Sequence, residues 1–496
     1  MTKQASSRPI VWAIAASDSG GCAGIQADLR TLNDLGTHGC SVITALTAQN
    51  TQGIQHIQPT SADNLSAQLK ALSADLPPKA IKLSVIPNTE ALSIIKDQLA
   101  WQNSFCVYDP VISSTSGNAL VNAEVIDQLP QLYPYIDLLT PNLDEASRLS
   151  GVNIKHADDV KHAAEKLLAQ GVKAVLIKGG HSDDEICQDF FSYSSSGTDG
   201  QHSFWLTNHK QANPNSRATG CTLSSAIAAF IAQGKPLQDA LVLANAYVQQ
   251  GLRLALSLGD DNKVGTLANA GTPETFADFP QISDTAEAVN LPAFPRCDSL
   301  NLGLYPVVDS IEWLEKLLPL GVKTIQLRVK NKTDAELDEL VKRASELGHQ
   351  HNARMFINDH WQLAIKHKAY GVHLGQEDLD SADLAAIREA GVHLGLSTHS
   401  EYEWARAATF KPSYLAIGAI FPTDTKEVII VGTENLHQWV KVLSKGFPLT
   451  AIGGIKSHNL DQILSSGVGS VAVVTAITAA EDYVKATEEL MARIEG

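Results

Sequence analysis

The chain has 496 residues, of which 44% are hydrophobic and 19% charged, and it carries a net charge of −16 at pH 7. That length exceeds what one hydrophobic core serves, so two or more domains are expected, and the composition excludes a disordered chain. The negative charge excludes a basic surface for nucleic acid, and no apolar run reaches the roughly 20 residues of a membrane span.

The six cysteines (Cys22, Cys40, Cys106, Cys187, Cys221 and Cys297) form no C-x-x-C pair and no metal-ligand spacing. Free thiols in a reducing, cytoplasmic setting are expected. The apolar run in MTKQASSRPIVWAIAASDSGG leads straight into a Gly-rich loop. It is expected to be a first β-strand rather than a signal peptide.

From Ile10 to about Leu267, β-type runs alternate with amphipathic helices: VWAIAA, the helix IQADLRTLNDLG, then SVITALTAQ, FCVYDPVI and IDLLTPN. The helices DEASRLSG and DDVKHAAEKLLAQG follow, with the strand AVLIKGG and the pair DFFSY and HSFWLTN. This order predicts an α/β domain around a largely parallel sheet. Residues 271–299 contain four prolines and no sustained periodicity, which predicts a linker between domains spanning 1–270 and 300–496. Its Phe276, Phe279 and Phe294 are expected to lie against a surface.

Beyond the linker, eight strand-like runs each precede a helix-like segment: LGLYPVV, TIQLRV, RMFIND, GVHLG, VHLGLST, YLAIGAIF, LTAIGGI and SVAVVTAI. Eight even units predict a closed (β/α)8 barrel, with its active site at the strand C-terminal ends.

Within SRATGCTLSSAIAAF, a Gly-Cys-Thr opens an apolar helix whose Leu223, Ile227, Phe230 and Ile231 fall on one face. Backbone N–H groups from Ala218 to Cys221, including Thr219 and Gly220, would form an anion site there. Cys221 is either a small core filler or a thiol whose helix-terminal place depresses its pKa.

The first half resembles hydroxymethylpyrimidine/phosphomethylpyrimidine kinase of the ribokinase-like superfamily, an αβα fold. The resemblance rests on IAASDSGGCAGIQADL, SVITALTAQNT, YDPV, TPNLDEA, IKGGH and TGCTLSSAIA, in the family's order across residues 10 to 260. It implies that Cys221 assists deprotonation of the attacking hydroxyl, where many relatives carry aspartate. It also implies that Asn142 and Glu145 orient Mg²⁺ and phosphate, that Lys178 reaches the ATP phosphates, and that Gln49 hydrogen-bonds the pyrimidine. Asp28 is expected on the inner face of the first helix, among the substrate-binding residues. Read without the resemblance, Glu145 is an acid in a first helical turn, complementing the dipole. Ala16, Ser84 and Arg217-Ala218 stand where the family usually has glycine, glycine and His-Gly.

Residues 302 to 494 resemble thiamine phosphate synthase, a TIM barrel, through QLRVK, FIND, GVHLGQEDL, LGLSTHS, AIGAIFPTDTK, AIGGI and AVVTAI. Such chemistry expels pyrophosphate from a pyrimidine methyl diphosphate and needs cations to neutralise it. Gln326, Arg328 and Lys330 alternate on one face. Asp359 and Asp378, with Asn358 beside the first, are expected to share Mg²⁺. Ser397, Thr423, Thr425 and Lys426 are expected on pyrophosphate, and Gly453, Gly454, Val474 and Thr475 on the phosphate of the thiazole partner. His373 and His399 lack spaced partners and are expected to be satisfied structural histidines. The segment EVIIVG after Lys426 is more apolar than the family's Pro-containing loop.

The two resemblances together imply a bifunctional thiamine-biosynthesis enzyme that uses ATP and Mg²⁺ on small-molecule substrates, without nucleic acid or membrane; a homo-oligomer is compatible with the sequence. One alternative is an active synthase joined to a weakened, ligand-binding kinase-like domain, motivated by the departures above. Another is a kinase half shifted to a pyridoxal-like substrate, with Gln49 the residue to test.

Overall fold

The computed structural model describes residues 7–113, 120–180, 185–194, 201–211, 213, 215–259, 264–286, 290–422 and 429–496. The chain divides into two compact units, Met1–Ala288 and Val289–Gly496.

The first unit runs β1 (Ile10–Asp18), α1 (Gly24–Asp34), β2 (His38–Gln49), β3 (Ile54–Pro59), α2 (Ala62–Asp75), β4 (Ala80–Leu83), α3 (Thr89–Trp101), β5 (Phe105–Tyr108) and α4 (Ala123–Gln128). It continues with β6 (Leu138–Leu139), α5 (Leu143–Ser150), α6 (Ala157–Ala169), β7 (Ala174–Ile177), β8 (Ile186–Ser194), β9 (Gln201–His209), α7 (Thr219–Ala232), α8 (Leu237–Arg253) and β10 (Gln281–Ser283). The ten strands form one sheet in the order β10-β9-β8-β7-β6-β5-β4-β1-β2-β3. The central strands, β7 to β2, are parallel, whereas β3 and β8 to β10 pair antiparallel at the two edges. Parallel neighbours need crossover helices, and these cover both faces.

Strand period divides β4 between the two faces. Ile81 and Leu83 enter an apolar core shared with Leu65 and Leu69 of α2, Ile95 of α3 and Leu167 of α6. Lys82 therefore turns to the opposite face, where α7 packs on β4, β5, α1 and α8. The single apolar stripe expected of α7 is not what forms. Every residue from Thr222 to Phe230 is buried, because α7 lies between the sheet and two other helices. Its buried hydroxyls are satisfied locally: Ser224 Oγ donates to the Gly220 carbonyl at 3.0 Å, and Ser225 Oγ to Asp28 at 2.9 Å.

The Pro-rich stretch 271–299 is shared between the units. Gln281–Ser283 extends the sheet as β10 against β9, whereas the Phe294 N–H donates to Lys411 O in the second unit. Phe279 and Phe294 are buried, as their apolar rings require.

The second unit runs β11 (Gly303–Val308), α9 (Ile311–Leu317), β12 (Thr324–Leu327), α10 (Asp334–Gln350), β13 (Arg354–Asn358), α11 (Trp361–Lys366), β14 (Gly371–Leu374), α12 (Leu384–Glu389) and β15 (His393–Thr398). Then come α13 (Glu401–Thr409), β16 (Tyr414–Ile417), α14 (Gly432–Leu443), β17 (Leu449–Ala451), α15 (Leu460–Leu464), β18 (Ser470–Val473), α16 (Thr475–Thr478) and α17 (Tyr483–Glu495). Strands β11 to β18 pair in parallel and in sequence, and β18 returns to β11 to close the barrel. Tyr305, Phe356 and Tyr414 fill part of the interior, with ring centroids 5.1 to 5.9 Å apart. Among the described residues, no helix is long and apolar enough to cross a membrane.

Candidate active sites

In the first unit, the turn after β1 is organised by Asp18, whose carboxylate accepts from the N–H groups of Gly20, Cys22 and Ala23 at 2.8 to 2.9 Å. Ser19 ties that turn to Gln49, donating to its carbonyl and accepting from its N–H at 2.8 Å each. The Gln49 amide oxygen accepts from Thr47 at 3.3 Å. At the turn's far end the Gly24 N–H donates to the Cys221 sulfur, and Arg217 donates to the Thr51 carbonyl. The strand end carrying Gln49 and the helix start carrying Cys221 thus meet through hydrogen bonds between side chains and backbone.

The N-terminus of α7 is uncapped by any side chain, and its first intrahelical bond runs from Thr222 N to Ala218 O. Among the described residues, the N–H groups of Thr219, Gly220 and Cys221 have no protein acceptor. Ala218 holds φ at +67°, a left-handed conformation that glycine adopts at no steric cost. The glycine that the resemblance to the kinase family implies at this position would take that conformation without strain. Ala218→Gly is expected to stabilise the first unit by up to about 1 kcal/mol, the left-handed cost less the flexibility glycine adds to the unfolded chain. A thermal melt of the two proteins checks it.

Beside this terminus lies an ionic cluster. Lys178 Nζ bonds Asp109 Oδ1 at 2.6 Å, and a Cβ on Gly220 would sit 3.1 Å from Lys178 Nζ and 3.5 Å from Asp109 Oδ2. Asp109 Oδ2 is buried and has no hydrogen-bond partner among the described residues. Asn142 and Glu145 form a reciprocal capping box on α5: the Glu145 N–H donates to Asn142 Oδ1 at 2.8 Å, and the Asn142 N–H to Glu145 Oε2 at 2.9 Å. Burial pushes the Glu145 carboxyl up to about 7; Lys178 opposes this, and Asp109 adds to it. Asp28 is fully buried. Its carboxylate is held by Lys82 at 2.8 Å and Ser225 at 2.9 Å, so both oxygens are occupied beneath α7. Burial works against the Lys82 ammonium, but Asp28, Cys221 and Asp109 together hold its pKa above the ordinary value.

The expectation of a depressed Cys221 pKa is not met. Burial raises the thiol to about 11, and the opposing field of Lys82 does not offset it. Helix-terminal N–H groups lower a thiol's pKa most when solvent also reaches it, and desolvation wins here. Asp18, Lys82 and Asp109 were not singled out from the sequence. Lys82 had a visible signal, a lysine inside the apolar strand AIKL. Asp109 stood within YDPV, where nothing local marks its lysine partner.

In the barrel, side chains along β12 emerge stepwise. Gln326 is buried, Arg328 half-buried and Lys330 exposed, the pattern of one face climbing out of the strand end. Asn358 ends β13, and Asp359 follows it at φ +63°. Desolvation and then the Asp378 carboxylate raise the Asp359 carboxyl, against Arg328 and His360. Asp378 itself accepts from the Gly375 N–H at 2.9 Å. Ser397, near the end of β15, bonds His373 Nε2 at 2.8 Å. His373 is satisfied on both nitrogens, and His399 bonds Glu403 at 2.7 Å, as expected of structural histidines. Gly453 and Gly454 follow β17 at φ +102° and +63°, with Cβ positions that would fall 2.5 Å from Ala419 and Pro422. Val474 and Thr475 follow the adjacent β18. Thr423, Thr425 and Lys426 lie outside the described residues, as do Glu427 and Val428 of EVIIVG, whereas its Ile429 and Ile430 are described and exposed.

The phosphomethylpyrimidine kinase family matches residues 18–266, and the thiamine monophosphate synthase family matches 304–477. The thiamine-phosphate synthase of Yersinia pestis (strain Pestoides F) is 54% identical over 207 residues, which span 41% of this chain and 95% of that protein. The chain belongs to both families. It is a kinase–synthase fusion of thiamine biosynthesis. Among solved structures, the kinase half is similar to phosphomethylpyrimidine kinase from Clostridium difficile 630, 37% identical, covering 49% of this chain and 98% of that one, with a TM-score of 0.42. It is also similar to pyridoxal kinase from Staphylococcus aureus in complex with AMP-PCP and pyridoxal, 28% identical over 56% and 98% of the two chains, with a TM-score of 0.49.

Two donor sets fit Mg²⁺, an oxygen-seeking ion. In the kinase half, Asp109 has a buried oxygen without a partner among the described residues, beside Glu145. In the synthase half, the Asp359 carboxylate has no hydrogen-bond donor among the described residues and is raised by Asp378, a repulsion that a cation would relieve. Among the described residues, no group of three or more acidic, histidine or cysteine side chains is arranged so that it could hold a metal ion by itself. A metal in either place would therefore be completed by water and substrate phosphate.

Proposed function

We propose that the kinase half phosphorylates hydroxymethylpyrimidine and then its monophosphate, using ATP with Mg²⁺, and that the synthase half joins the resulting diphosphate to thiazole phosphate. The products are thiamine phosphate and pyrophosphate. The observation that carries the reading is the convergence of Cys221, Lys178 and Asp109 on the free N–H groups of α7.

In the kinase half, the pyrimidine packs near Gln49, and its hydroxyl faces Cys221. The Cys221 thiolate takes the hydroxyl proton as the hydroxyl oxygen bonds the γ-phosphorus of ATP and the bond from that phosphorus to ADP breaks, and the Thr219, Gly220 and Cys221 N–H groups bind the oxygens of the phosphoryl group in transfer. Lys178 neutralises phosphate charge, while Asn142, Glu145 and Asp109 would hold Mg²⁺, which would supply charge neutralisation on the ATP phosphates. Asp28 acts through Lys82 and Ser225 to fix α7 rather than by touching substrate.

In the barrel, Asp359 and Asp378 would hold the Mg²⁺ that neutralises the departing pyrophosphate. Arg328 and Lys330, with Thr423, Thr425 and Lys426, add donors to the pyrophosphate oxygens, and Asn358 lies beside them. Gln326 faces the pyrimidine ring, and so does Ser397 rather than the pyrophosphate expected of it, because one hydrogen-bonded chain of uncharged side chains links the two. The backbone at Gly453, Gly454, Val474 and Thr475 holds the thiazole phosphate, in the position where barrels commonly bind one. The six unpaired cysteines suit a reducing cytoplasm that also supplies ATP.

The test supplies the purified chain with Mg²⁺, ATP, thiazole phosphate and plain hydroxymethylpyrimidine, and a parallel sample with the pyrimidine diphosphate instead. Thiamine phosphate is expected in both. Product from the diphosphate alone would leave the kinase half a ligand-binding domain.

A further inference from the structure

A chain of polar side chains crosses the barrel interior. Gln326 Nε2 donates to Tyr305 Oη at 3.1 Å, Tyr305 Oη meets Tyr414 Oη at 2.9 Å, Tyr414 Oη meets His373 Nδ1 at 2.7 Å, and His373 Nε2 meets Ser397 Oγ at 2.8 Å. Tyr305 and Tyr414 are at most 1% exposed, so each phenol hydrogen must find an acceptor within the chain. Only one assignment achieves this while Gln326 donates. Tyr305 gives its hydrogen to Tyr414, and Tyr414 gives its own to Nδ1. The neutral imidazole then carries its hydrogen on Nε2 and gives it to Ser397. A doubly protonated His373 would leave one phenol hydrogen with no acceptor. Burial, then Arg328 and His399, lower the His373 pKa to about 4, which agrees.

The two ends remain free. Among the described residues, neither the Ser397 hydroxyl hydrogen nor the Gln326 amide oxygen has a protein partner. We infer that Tyr305, Tyr414 and His373 are positioning residues that tie the hydrogen-bonding sense of Ser397 to that of Gln326, so that the barrel offers a donor at Ser397 and an acceptor at Gln326. Turning the Gln326 amide over would reverse every bond and both ends together. The device selects a heteroaromatic edge with a ring acceptor facing Ser397 and an N–H facing Gln326. An aminopyrimidine has such an edge; this ligand assignment rests on the synthase reading above.

The direct test is ¹⁵N NMR of the histidines in the full chain at neutral pH, with the His373 signals assigned by their loss in His373→Gln. Nε2 protonated and Nδ1 bare is the expected result; Nδ1 protonated, or both nitrogens protonated, overturns the inference. The wild-type tautomer decides this whether or not any variant folds. Tyr414→Phe cuts the chain at its centre: the buried Tyr305 hydrogen is left with only the Gln326 amide oxygen as acceptor, which favours the turned-over amide, while His373 is free to take either tautomer. The competent combination becomes a minor one, so KM for the pyrimidine diphosphate is expected to rise at least about fourfold, with the change on KM rather than kcat. The same variant should give a mixture of His373 tautomers. An unchanged KM with a single tautomer overturns the inference. Failure of the wild-type chain to consume the diphosphate would instead remove the synthase reading and leave the tautomer result standing.

Discussion

Cys221→Ala is expected to lower thiamine phosphate formation from plain hydroxymethylpyrimidine by about 10²- to 10⁴-fold, the usual contribution of a general base. Formation from the diphosphate should be unchanged, because that reaction uses the barrel. The pH dependence follows from the direction of the thiol shift. Burial places Cys221 at about 11, so at neutral pH the free enzyme holds it protonated. If the thiolate is the base, kcat/KM of the kinase half rises about tenfold per pH unit from 7 to 9, since kcat/KM reports groups of the free enzyme. A plateau below pH 8 would mean that the N–H groups of α7 outweigh desolvation. Initial rates of ADP release across that range, for wild type and Cys221→Ser, separate the two outcomes.

Arg328→Ala is expected to reduce the synthase rate by about 10²- to 10³-fold, the cost of removing one preorganised charge from a developing anion. Arg328 is the cation that opposes the upward shift of Asp359, so its loss also leaves the two carboxylates less balanced. Arg328→Lys should recover only part of the rate, because an ammonium cannot form the paired contacts a guanidinium makes with phosphate oxygens. Kinase turnover measured on the same samples should remain at the wild-type value. A rate for Arg328→Ala within threefold of wild type would remove Arg328 from the machinery.

The sequence by itself determined the two-part plan, the closed barrel and the position of the helix start proposed as the kinase's anion site. Each of these follows from local periodicity. Strands and helices alternate at fixed spacing, Gln326, Arg328 and Lys330 alternate along one strand, and a Gly-Cys-Thr stands where an apolar helix starts. Tertiary structure alone decided which polar groups meet, because their partners are far apart in the chain. Asp28 and Lys82 are 54 residues apart, Asp109 and Lys178 are 69 apart, and Tyr305 and Tyr414 are 109 apart. It also decided the state of Cys221. A helix terminus, visible in sequence, pulls a thiol's pKa down, but only packing reveals how far that thiol is removed from water, and here desolvation is the larger effect. The same holds for α7, whose apolar face was legible although the layers that bury its other sides come from α1 and α8, more than a hundred residues before it and directly after it.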